Sequence, residues 1–463
     1  MIITPSVAKA ILETKSKISK NCARARKKKE IEVKASSGGV NCEFWRLESQ
    51  SHGYKLNDRD CHRAGGTRMK AVRLHAKWDP RPGFKPGPKD VEGKVCWLGS
   101  KVWRYPEVRV EQVPEPKITK PTQVLIKVKA CGICGSDVHM AQTDEEGYIL
   151  YPGLTGFPTT LGHEFSGIVV EAGPEAINRR TNKRFEPGEP VTAEEMFWCG
   201  HCRPCADGYP NHCENLHEMG FDVDGAFAEY IVLESKYLWS LKELEGVYEG
   251  DRLFMAGSLV EPTSVAYNAV IERGGGIRPG DNVVILGGGP IGLAAVAILK
   301  RAGAAKVILS EPSVTRRNIA KQLGADVVID PTKENFVEAV LDSTNGMGAK
   351  LYLEATGLPQ IVWKDIEEVI WRARGINATV VIVARADAKI PLTGEVFQVR
   401  RAQIVGSQGH SGHGNFPRVI SLMATGMDMT KIISKTVSID EIPEYIKRLQ
   451  TDKELVKVTM LNP

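Results

Sequence analysis

The stretch DNVVILGGGPIGLAAVAILKRAGAAKVILSEPS, residues 281–313, constrains the possible fold most strongly. An apolar run, NVVIL, leads into closely spaced glycines, and a helical apolar segment follows before a second apolar run, KVIL. Short apolar runs of this kind are typical of strands buried in a parallel sheet, and the helix between them supplies the crossover. The stretch therefore predicts a strand–helix–strand unit of a doubly wound α/β domain.

Three glycines and one acidic residue in this unit have the spacing of a dinucleotide-binding site. Gly287, Gly289 and Gly292 form a GxGxxG pattern, which lets the backbone approach a pyrophosphate at the start of a helix. Glu311 stands 19 residues after Gly292, at the end of the second apolar run. A carboxylate there accepts hydrogen bonds from the adenosine ribose and repels a 2′-phosphate, so we expect NAD and not NADP as the cofactor.

The residues that follow extend this unit. Arg316 and Arg317 could weaken the preference for NAD, but we expect them to be solvated residues on a helix surface. The segments AKLYLEATG (349–357) and ATVVIVAR (378–385) predict further buried parallel strands, separated by helical stretches. The sequence therefore predicts a complete doubly wound sheet and not an isolated unit.

Four cysteines lie within CGHCRPCADGYPNHC, residues 199–213, at the spacing CxxCxxCx7C. Four thiolates can close a tetrahedral shell around Zn2+ and leave no position for a substrate. We therefore predict a structural zinc site with the ligands Cys199, Cys202, Cys205 and Cys213. His201 and His212 lie among the cysteines, and we expect them to be solvated loop residues and not ligands.

Two strand-like segments upstream carry residues of the types that bind catalytic zinc. In VLIKVKACGICGSDVH (124–139) an alternating run breaks at glycines beside Cys134, and in TTLGHEFSGIVVEAG (159–173) His163 and Glu164 precede another run. Each residue alone is a weak signal, because a lone cysteine is usually a core residue and a His-Glu pair usually lies on the surface. Together they offer a thiolate, an imidazole and a carboxylate, a set suited to zinc with an open fourth position.

The composition is that of an ordinary globular protein. With 463 residues, 42% hydrophobic and 25% charged, the chain is long enough for two or three domains and has no low-complexity bias. The longest nearly apolar run, PIGLAAVAIL (290–299), is too short to span a bilayer, so we expect no membrane segment. Ten cysteines without a secretory signal indicate a reducing compartment, and we expect a cytoplasmic protein.

Residues 1–68 differ from the rest of the chain. They hold 15 Lys and Arg against 7 Asp and Glu, while the whole chain carries a net charge of +5, so the body is slightly acidic. An acidic body argues against a nucleic-acid-binding surface. We expect 1–68 to be a disordered extension or a translated leader, because MKAVRLHAKW from Met69 reads like a first strand. A targeting signal and a basic tail that touches nucleic acid are alternatives.

Five motifs occur in an order that resembles one enzyme family. GICGSDVH, LGHEFSG, the four-cysteine segment, LVEPTSVAYNA and VVILGGGPIG are together similar to the zinc-dependent medium-chain alcohol and polyol dehydrogenases, from about Met69 to the end of the chain. The resemblance implies a GroES-like, mainly β catalytic domain that is interrupted by a Rossmann domain. We expect the catalytic domain at 69–262 plus 409–463 and the NAD-binding Rossmann domain at 263–408.

The resemblance also implies two zinc ions per subunit, one structural and one catalytic. Cys134, His163 and Glu164 match the positions of the family's catalytic zinc ligands. Glu261 in LVEPTS matches a further ligand position, where the polyol-dehydrogenase branch has a glutamate and simple alcohol dehydrogenases have a cysteine. Glu164, Glu261 or water can complete the shell, and both glutamates stay candidates.

Three residues next to Cys134 match the family's proton-handling and orienting groups. Asp137 resembles the carboxylate that orients a ligand histidine. Ser136 matches the hydroxyl beside the substrate oxygen, and His139 matches the outer member of the proton relay. A surface histidine without a role is the alternative for His139.

Two segments, HMAQTDEEGYILYPGLTGFP (139–158) and RADAKIPLTGEVFQVRRAQIVGSQGHSGHG (385–414), are similar to those of family members that oxidise a cyclitol, a keto-inositol in inositol breakdown. His410 and His413 could bind substrate hydroxyls or be loop residues without a role. Sorbitol or another polyol and L-threonine are alternative substrates. A zinc-ribbon nucleic-acid binder and a nicotinamide-binding protein without activity are alternatives of another class, against which the complete ligand set and fingerprint argue.

The resemblance implies paired subunits. We expect an edge strand near VFQVRRAQIVG (396–406), whose backbone could pair across a two-fold axis to give a homodimer or homotetramer. A small polyol or cyclitol is the expected binding partner, and we expect neither nucleic acid nor a membrane to bind.

Overall fold

The structure is a computed structural model that describes residues 67–386, 388–410, 412 and 414–463. Of the extension expected at 1–68, all but the last two residues lie outside these ranges, and so does the candidate residue His413. The described chain contains a mainly antiparallel β part and a parallel sheet flanked by helices. No helix among the described residues is long and apolar enough to cross a membrane.

The first part of the chain consists mainly of short strands. They are β1 (Arg68–Trp78), β2 (Val95–Cys96), β3 (Trp103–Pro114), β4 (Gln123–Gly132), β5 (Thr155–Gly156), β6 (Thr159–Thr160), β7 (Glu164–Ala172), β8 (Ile177–Asn178), β9 (Lys183–Arg184), β10 (Pro190–Ala193), β11 (Met196–Phe197), β12 (His217–Glu218), β13 (Tyr230–Glu234) and β14 (Leu238–Ser240). Three helices interrupt them, α1 (Pro88–Gly93), α2 (Gly135–Ala141) and α3 (Arg203–Ala206). The first strand predicted from MKAVRLHAKW is confirmed by β1.

The middle of the chain alternates helices with strands. The helices are α4 (Asp251–Ser258), α5 (Val260–Tyr267), α6 (Pro290–Arg301), α7 (Val314–Leu323), α8 (Phe336–Ser343), α9 (Pro359–Arg372) and α10 (Gly394–Arg400). The strands are β15 (Asn282–Leu286), β16 (Lys306–Ser310), β17 (Val327–Ile329), β18 (Leu351–Glu354), β19 (Thr379–Ile382) and β20 (Gln403–Gly406). The last elements are α11 (Asn415–Ala424), β21 (Ile433–Val437), α12 (Ile442–Arg448) and β22 (Lys457–Leu461).

The parallel sheet has the order β17-β16-β15-β18-β19-β20, and every neighbouring pair is parallel. The strand order reverses direction beside β15, which is where such sheets bind ligands at their carboxyl ends. Its strands are buried runs such as NVVIL and LYLE, because helices cover both faces. The predicted doubly wound sheet is confirmed, including the strands predicted within 349–357 and 378–385.

The mixed sheet has the order β14-β10-β7-β4-β22-β21, with β13 also paired to β4. The chain returns to it at the C-terminus, where β22 pairs antiparallel with β4, Met460 opposite Cys131. The mixed sheet packs around its own apolar core, separate from the core of the parallel sheet. A strand from the first third of the chain and the last strand therefore pair in this sheet.

The edge strand predicted near 396–406 is only partly right. The strand is limited to β20, which does lie at the edge of the parallel sheet, while residues 394–400 form α10. The residues VFQV have strand propensity but are helical, because the segment packs against α9. Val396 is buried, and the rings of Phe397 and Trp363 stack with their centres 6.2 Å apart. Packing therefore overrides local strand propensity here.

Candidate active site

Three of the predicted zinc ligands meet where β4 and β7 lie side by side. Cys134 follows β4 by two residues, and Glu164 begins β7 directly opposite Gly132 of β4. Cys134, His163 and Glu164 each offer one ligand atom, and these atoms lie within 4.8 Å of one another. Antiparallel pairing thus brings together two motifs that are about thirty residues apart in the sequence.

The helix α2 places the neighbouring polar residues around His163. Asp137 is buried, its Oδ2 accepts the Cys134 backbone N–H at 2.9 Å, and its Oδ1 lies 4.0 Å from His163 Nδ1. Ser136 Oγ lies 3.4 Å from His163 Nε2. His139 stands three residues further along α2 and is exposed to solvent. The helix therefore presents a carboxylate and a hydroxyl to the two nitrogens of one imidazole.

The electrostatics of this cluster favour a cation. Burial lowers the pKa of His163, but the charges of Asp137 and Cys134 outweigh burial and hold that pKa well above its usual value. His163 Nδ1 and Asp137 Oδ1 have no hydrogen-bond partner among the described residues. An environment that stabilises positive charge beside a thiol and an imidazole is the environment that Zn2+ requires, so the residues fit a zinc ion.

Glu164 is paired with a lysine that the sequence analysis missed. Lys457 Nζ donates to Glu164 Oε1 at 2.8 Å and to the Ile133 carbonyl at 3.0 Å, and both charged residues are 1% exposed. Burial opposes the charge of Lys457, but Glu164 raises the lysine pKa. The only local signal was a charged residue in the apolar strand VKVTML, which does not indicate a partner.

Glu261 belongs to a second buried cluster. Glu195, Glu261 and His410 offer ligand-type atoms within 4.8 Å of one another. His410 Nε2 contacts Glu195 Oε2 and lies 3.5 Å from Glu261 Oε1, and His410 is fully buried. Burial, with Glu195 nearby, raises the pKa of Glu261 to about 8. Burial lowers the pKa of His410, but Glu195 outweighs it and brings that pKa to about 9.

His410 thus lies beside the candidate ligand Glu261, and its binding of substrate hydroxyls stays a prediction. The loop that carries His410 is held by the helical turn after α5, where Asn268 Nδ2 donates to the Gly409 carbonyl at 2.8 Å. Glu195 was not predicted, because an acidic pair after β10 does not indicate that both side chains are buried or that one of them contacts a histidine.

The four cysteines of residues 199–213 come together as predicted. Their sulfur atoms lie within 4.8 Å of one another, and His201 and His212 are exposed outside the set. Backbone N–H groups of His201 and Cys202 donate to Cys199 Sγ and lower the pKa of Cys199 to about 5, which favours the thiolate form. Four sulfur ligands with N–H···S support fit a closed structural zinc site.

The glycine-rich loop runs from β15 into α6. Gly287 has φ +101°, and a Cβ there would lie 2.7 Å from the Ala355 carbonyl oxygen. A Cβ at Gly292 would collide with the Gly287 carbonyl, so this glycine allows close packing of helix against strand. A Cβ at Gly289 would meet nothing within 4 Å, which leaves the N-terminus of α6 open to a pyrophosphate. The loop therefore fits a dinucleotide.

Glu311 lies directly after β16, next to this loop. Its Oε2 accepts the Gly288 N–H at 2.6 Å and its Oε1 accepts the Ser313 N–H at 2.8 Å. Each carboxylate oxygen has a second lone pair. The side chain is therefore fixed in place beside the loop and can still accept hydrogen bonds.

The expectation that Arg316 and Arg317 are simply solvated is wrong. Arg317 Nη2 lies 3.1 Å from Asp330 Oδ2, and the arginine side chain is 12% exposed. Arg316 Nη2 donates to the Leu455 carbonyl at 3.2 Å. Arg317 is committed to acceptors of the protein, whereas Arg316 is held through Nη2 and its buried Nε has no hydrogen-bond partner among the described residues.

Comparison with known proteins defines the class. Residues 120–243 match the family described as alcohol dehydrogenase GroES-like domain, and residues 290–425 match the family described as zinc-binding dehydrogenase. This chain belongs to the zinc-binding medium-chain dehydrogenases, oxidoreductases that act on CH–OH groups. The family resemblance and the combination of GroES-like and Rossmann folds predicted from the motifs are confirmed.

Individual proteins and solved structures also match this chain. The chain is 87% identical over 394 residues to scyllo-inosose 3-dehydrogenase of Thermotoga maritima, across 85% of this chain and 100% of that protein. A Thermotoga maritima structure described as an alcohol dehydrogenase matches with a TM-score of 0.84 and 87% identity, over 85% of this chain and 100% of that one. A structure from Sinorhizobium meliloti 1021, described as a zinc-binding dehydrogenase bound to NADP, has a TM-score of 0.68 and 30% identity, over 86% and 100%. Zinc and a nicotinamide cofactor are thus properties of the family.

Proposed function

We propose that this protein oxidises a secondary hydroxyl of a cyclitol, converting 2-keto-myo-inositol (scyllo-inosose) to a diketo-inositol in inositol breakdown, with zinc and NAD. The observation that carries the substrate is the 87% identity to the Thermotoga maritima enzyme of that name over its whole length. The polar character of the site agrees with this substrate, because buried glutamates and histidines suit a ring with many hydroxyls.

The proposed catalytic zinc ligands are Cys134 and His163, with a glutamate in the remaining protein position. Glu261 is the better candidate at rest, because both carboxylate oxygens of Glu164 already accept from Lys457. Glu164 can replace it if the Lys457 contact loosens during turnover. The proposed structural zinc is held by the four cysteines of residues 199–213. Each subunit would thus bind two zinc ions.

The proposed cofactor is NAD. Glu311 stands fixed beside the glycine-rich loop, where its charge would repel the 2′-phosphate of NADP. Arg317 is paired with Asp330 and is therefore not free to bind that phosphate. The proposed cofactor contacts are Gly287, Gly289 and Gly292 at the pyrophosphate and Glu311 at the ribose.

The polar residues around His163 have separate proposed roles in proton transfer. Bound zinc would supply stabilisation of negative charge on the substrate oxygen, and the nicotinamide ring would accept the hydride. Ser136, 3.4 Å from His163, accepts the hydroxyl proton as it releases its own proton outward towards His139. His139, exposed on the same helix, passes the proton to solvent. Asp137 holds the His163 ring in orientation.

The domain limits and assembly belong to the same proposal. We place the catalytic domain at 69–262 plus 409–463 and the Rossmann domain at 263–408, in accord with the return of β22 to β4. The edge strand β20 offers a free backbone edge within the described sheet, which supports pairing of subunits into a homodimer or homotetramer.

The test is NADH formation by the zinc-loaded protein with 2-keto-myo-inositol, myo-inositol, sorbitol and L-threonine, each repeated after chelation and with NADP. We expect the keto-inositol to be oxidised best, with NAD, and the activity to be lost on chelation. Cys134→Ser should abolish turnover, while Cys96→Ser, a buried cysteine outside both clusters, serves as the matched control. Faster turnover of sorbitol or threonine would refute the substrate, and full activity after complete zinc removal would refute the metal.

A further inference from the structure

Glu218 carries a buried carboxylate oxygen without a partner. The residue is 3% exposed, and its Oε2 has no hydrogen-bond partner among the residues that the structure describes. Buried polar atoms in native proteins are nearly always hydrogen-bonded, so an unpaired one requires an explanation. A bound ligand that offers a hydroxyl would satisfy this oxygen.

The backbone fixes the position of this carboxylate. β12 pairs with β11, with Met196 opposite Glu218, and the Met219 N–H donates to the Glu195 carbonyl at 2.9 Å. The Glu218 N–H donates to Asp222 Oδ1 at 2.6 Å. Glu218 therefore stands beside the strand connection that carries Glu195 to the buried cluster with His410.

The surroundings make Glu218 able both to donate and to accept. Burial, with Glu195 nearby, raises the pKa of Glu218 to about 8, while the charges of Arg385 and His163 act in the opposite direction. The raised pKa of Glu218 favours the protonated form of its carboxyl group. A protonated carboxyl group has one O–H donor and acceptor lone pairs, which matches a hydroxyl.

A second pair of polar side chains is separated from His163 by one aromatic ring. Arg385 Nη1 donates to Tyr151 Oη at 3.3 Å, and its guanidinium lies 5.3 Å from the centre of the Tyr151 ring. The Tyr151 ring contacts Phe221 at 5.2 Å, and Phe221 contacts the His163 ring at 4.8 Å. Two ring contacts therefore connect His163, a candidate zinc ligand, with Tyr151, which the Arg385 guanidinium contacts.

This pair joins the two sheets. Arg385 follows β19 of the parallel sheet, while Tyr151 belongs to the β part. A Cβ at Gly153 would lie 2.6 Å from both Arg385 Nη1 and Tyr151 Cε1, so only glycine leaves room for the pair. The pair thus connects the end of β19 with the β part that carries the candidate zinc ligands.

We propose that Glu218 and the Tyr151–Arg385 pair form a subsite that binds the oxygens of a polyhydroxylated ring substrate away from the reacting carbinol. This inference rests on the proposed function, which it makes more specific. Arg385 only donates, so it selects the keto oxygen, whereas Glu218 donates and accepts, so it selects a hydroxyl. A site built for such groups discriminates strongly against analogues that lack them.

The test compares Glu218→Ala and Arg385→Ala with the wild type, on zinc-loaded full-length protein. Binding of 2-keto-myo-inositol to the NADH complex is measured by calorimetry, and KM and kcat are measured with the best panel substrate. We expect each variant to raise the Kd and the KM at least tenfold, with an unchanged KM for NAD. Glu218→Gln should restore most of the affinity, because an amide also donates and accepts.

Glu214→Ala is the matched control for Glu218→Ala, because Glu214 is an exposed glutamate four residues earlier in the chain. Arg278→Ala, at another exposed arginine, is the control for Arg385→Ala. Substrate affinities equal to those of the controls would overturn the subsite. The subsite would also be overturned if each variant lost as much affinity for a deoxy analogue, which lacks a hydroxyl, as for 2-keto-myo-inositol. Should Glu218→Ala fail to fold, the exposed Arg385 gives the result alone. Wild-type protein that binds keto-inositol but oxidises only another polyol refutes the proposed reaction and leaves the subsite standing.

Discussion

Lys457 Nζ lies 2.8 Å from Glu164 Oε1, although 293 residues separate the two in the chain. Both side chains are buried, and the lysine also donates to the Ile133 carbonyl beside Cys134. The last strand, β22, therefore supplies the positive charge that pairs with Glu164, a candidate zinc ligand at the start of β7. This pairing places β22 beside the candidate zinc ligands.

Replacement of Lys457 by methionine should destabilise the protein strongly. It leaves the buried Glu164 carboxylate without its cation, and breaking a buried pair costs about 3–5 kcal/mol. Chemical denaturation of Lys457→Met measures the loss, and Lys453→Met, the same change at an exposed lysine, should cost less than about 0.5 kcal/mol. The double variant Glu164→Gln, Lys457→Met should recover much of the stability. Equal stability of the two single lysine variants would contradict the pairing.

Loss of one cysteine of the four-cysteine site should remove one zinc ion and much of the thermal stability. Cys205→Ser leaves three sulfur ligands, and a structural zinc site contributes directly to folding free energy. Elemental analysis should show a fall from two zinc ions per subunit to one, with a lowered melting temperature. Cys96→Ser should retain both ions. An unchanged zinc content in Cys205→Ser would exclude the four-sulfur shell.

Two glycines of the nucleotide loop should respond differently to the same substitution. In Gly292→Ala the new Cβ collides with the Gly287 carbonyl, so both stability and NAD binding should fall. In Gly289→Ala the Cβ meets no protein atom within 4 Å, so the fold should persist while NAD affinity drops at least tenfold. Melting temperature and fluorescence titration with NADH separate the two. Normal NADH binding by Gly289→Ala would place the pyrophosphate elsewhere.

His217 should titrate above the ordinary histidine pKa. Its Nδ1 lies 2.6 Å from Asp222 Oδ2, and this contact raises the pKa of His217. Because the folded-state pKa is raised, the stabilisation is complete below about pH 6.5 and is lost as the pH rises through the folded value. Proton NMR titration of the His217 ring measures the pKa, and Asp222→Asn should lower it. An identical titration curve in that variant would rule out the carboxylate as the cause.

Several features could be predicted from the sequence because they depend on local spacing. The glycine spacing and the buried run NVVIL indicate β15, the loop and α6, since helix and strand periods are set by the backbone. The four cysteines indicate their own cluster, because ligands a few residues apart need only a turn to converge. The exception is α10, where packing of Phe397 on Trp363 outweighs the strand propensity of VFQV.

The parallel sheet, the glycine-rich loop after β15 and the cluster of four cysteines were therefore predictable from the sequence, while the roles of the candidate ligands stay predictions. Only the tertiary structure decided that Lys457 pairs with Glu164, that Glu195 meets His410, and that Arg385 reaches Tyr151. Each of these contacts joins residues more than two hundred positions apart. These contacts depend on how whole strands and sheets pack. A single charged residue in a strand or loop does not indicate a partner so far away in the sequence.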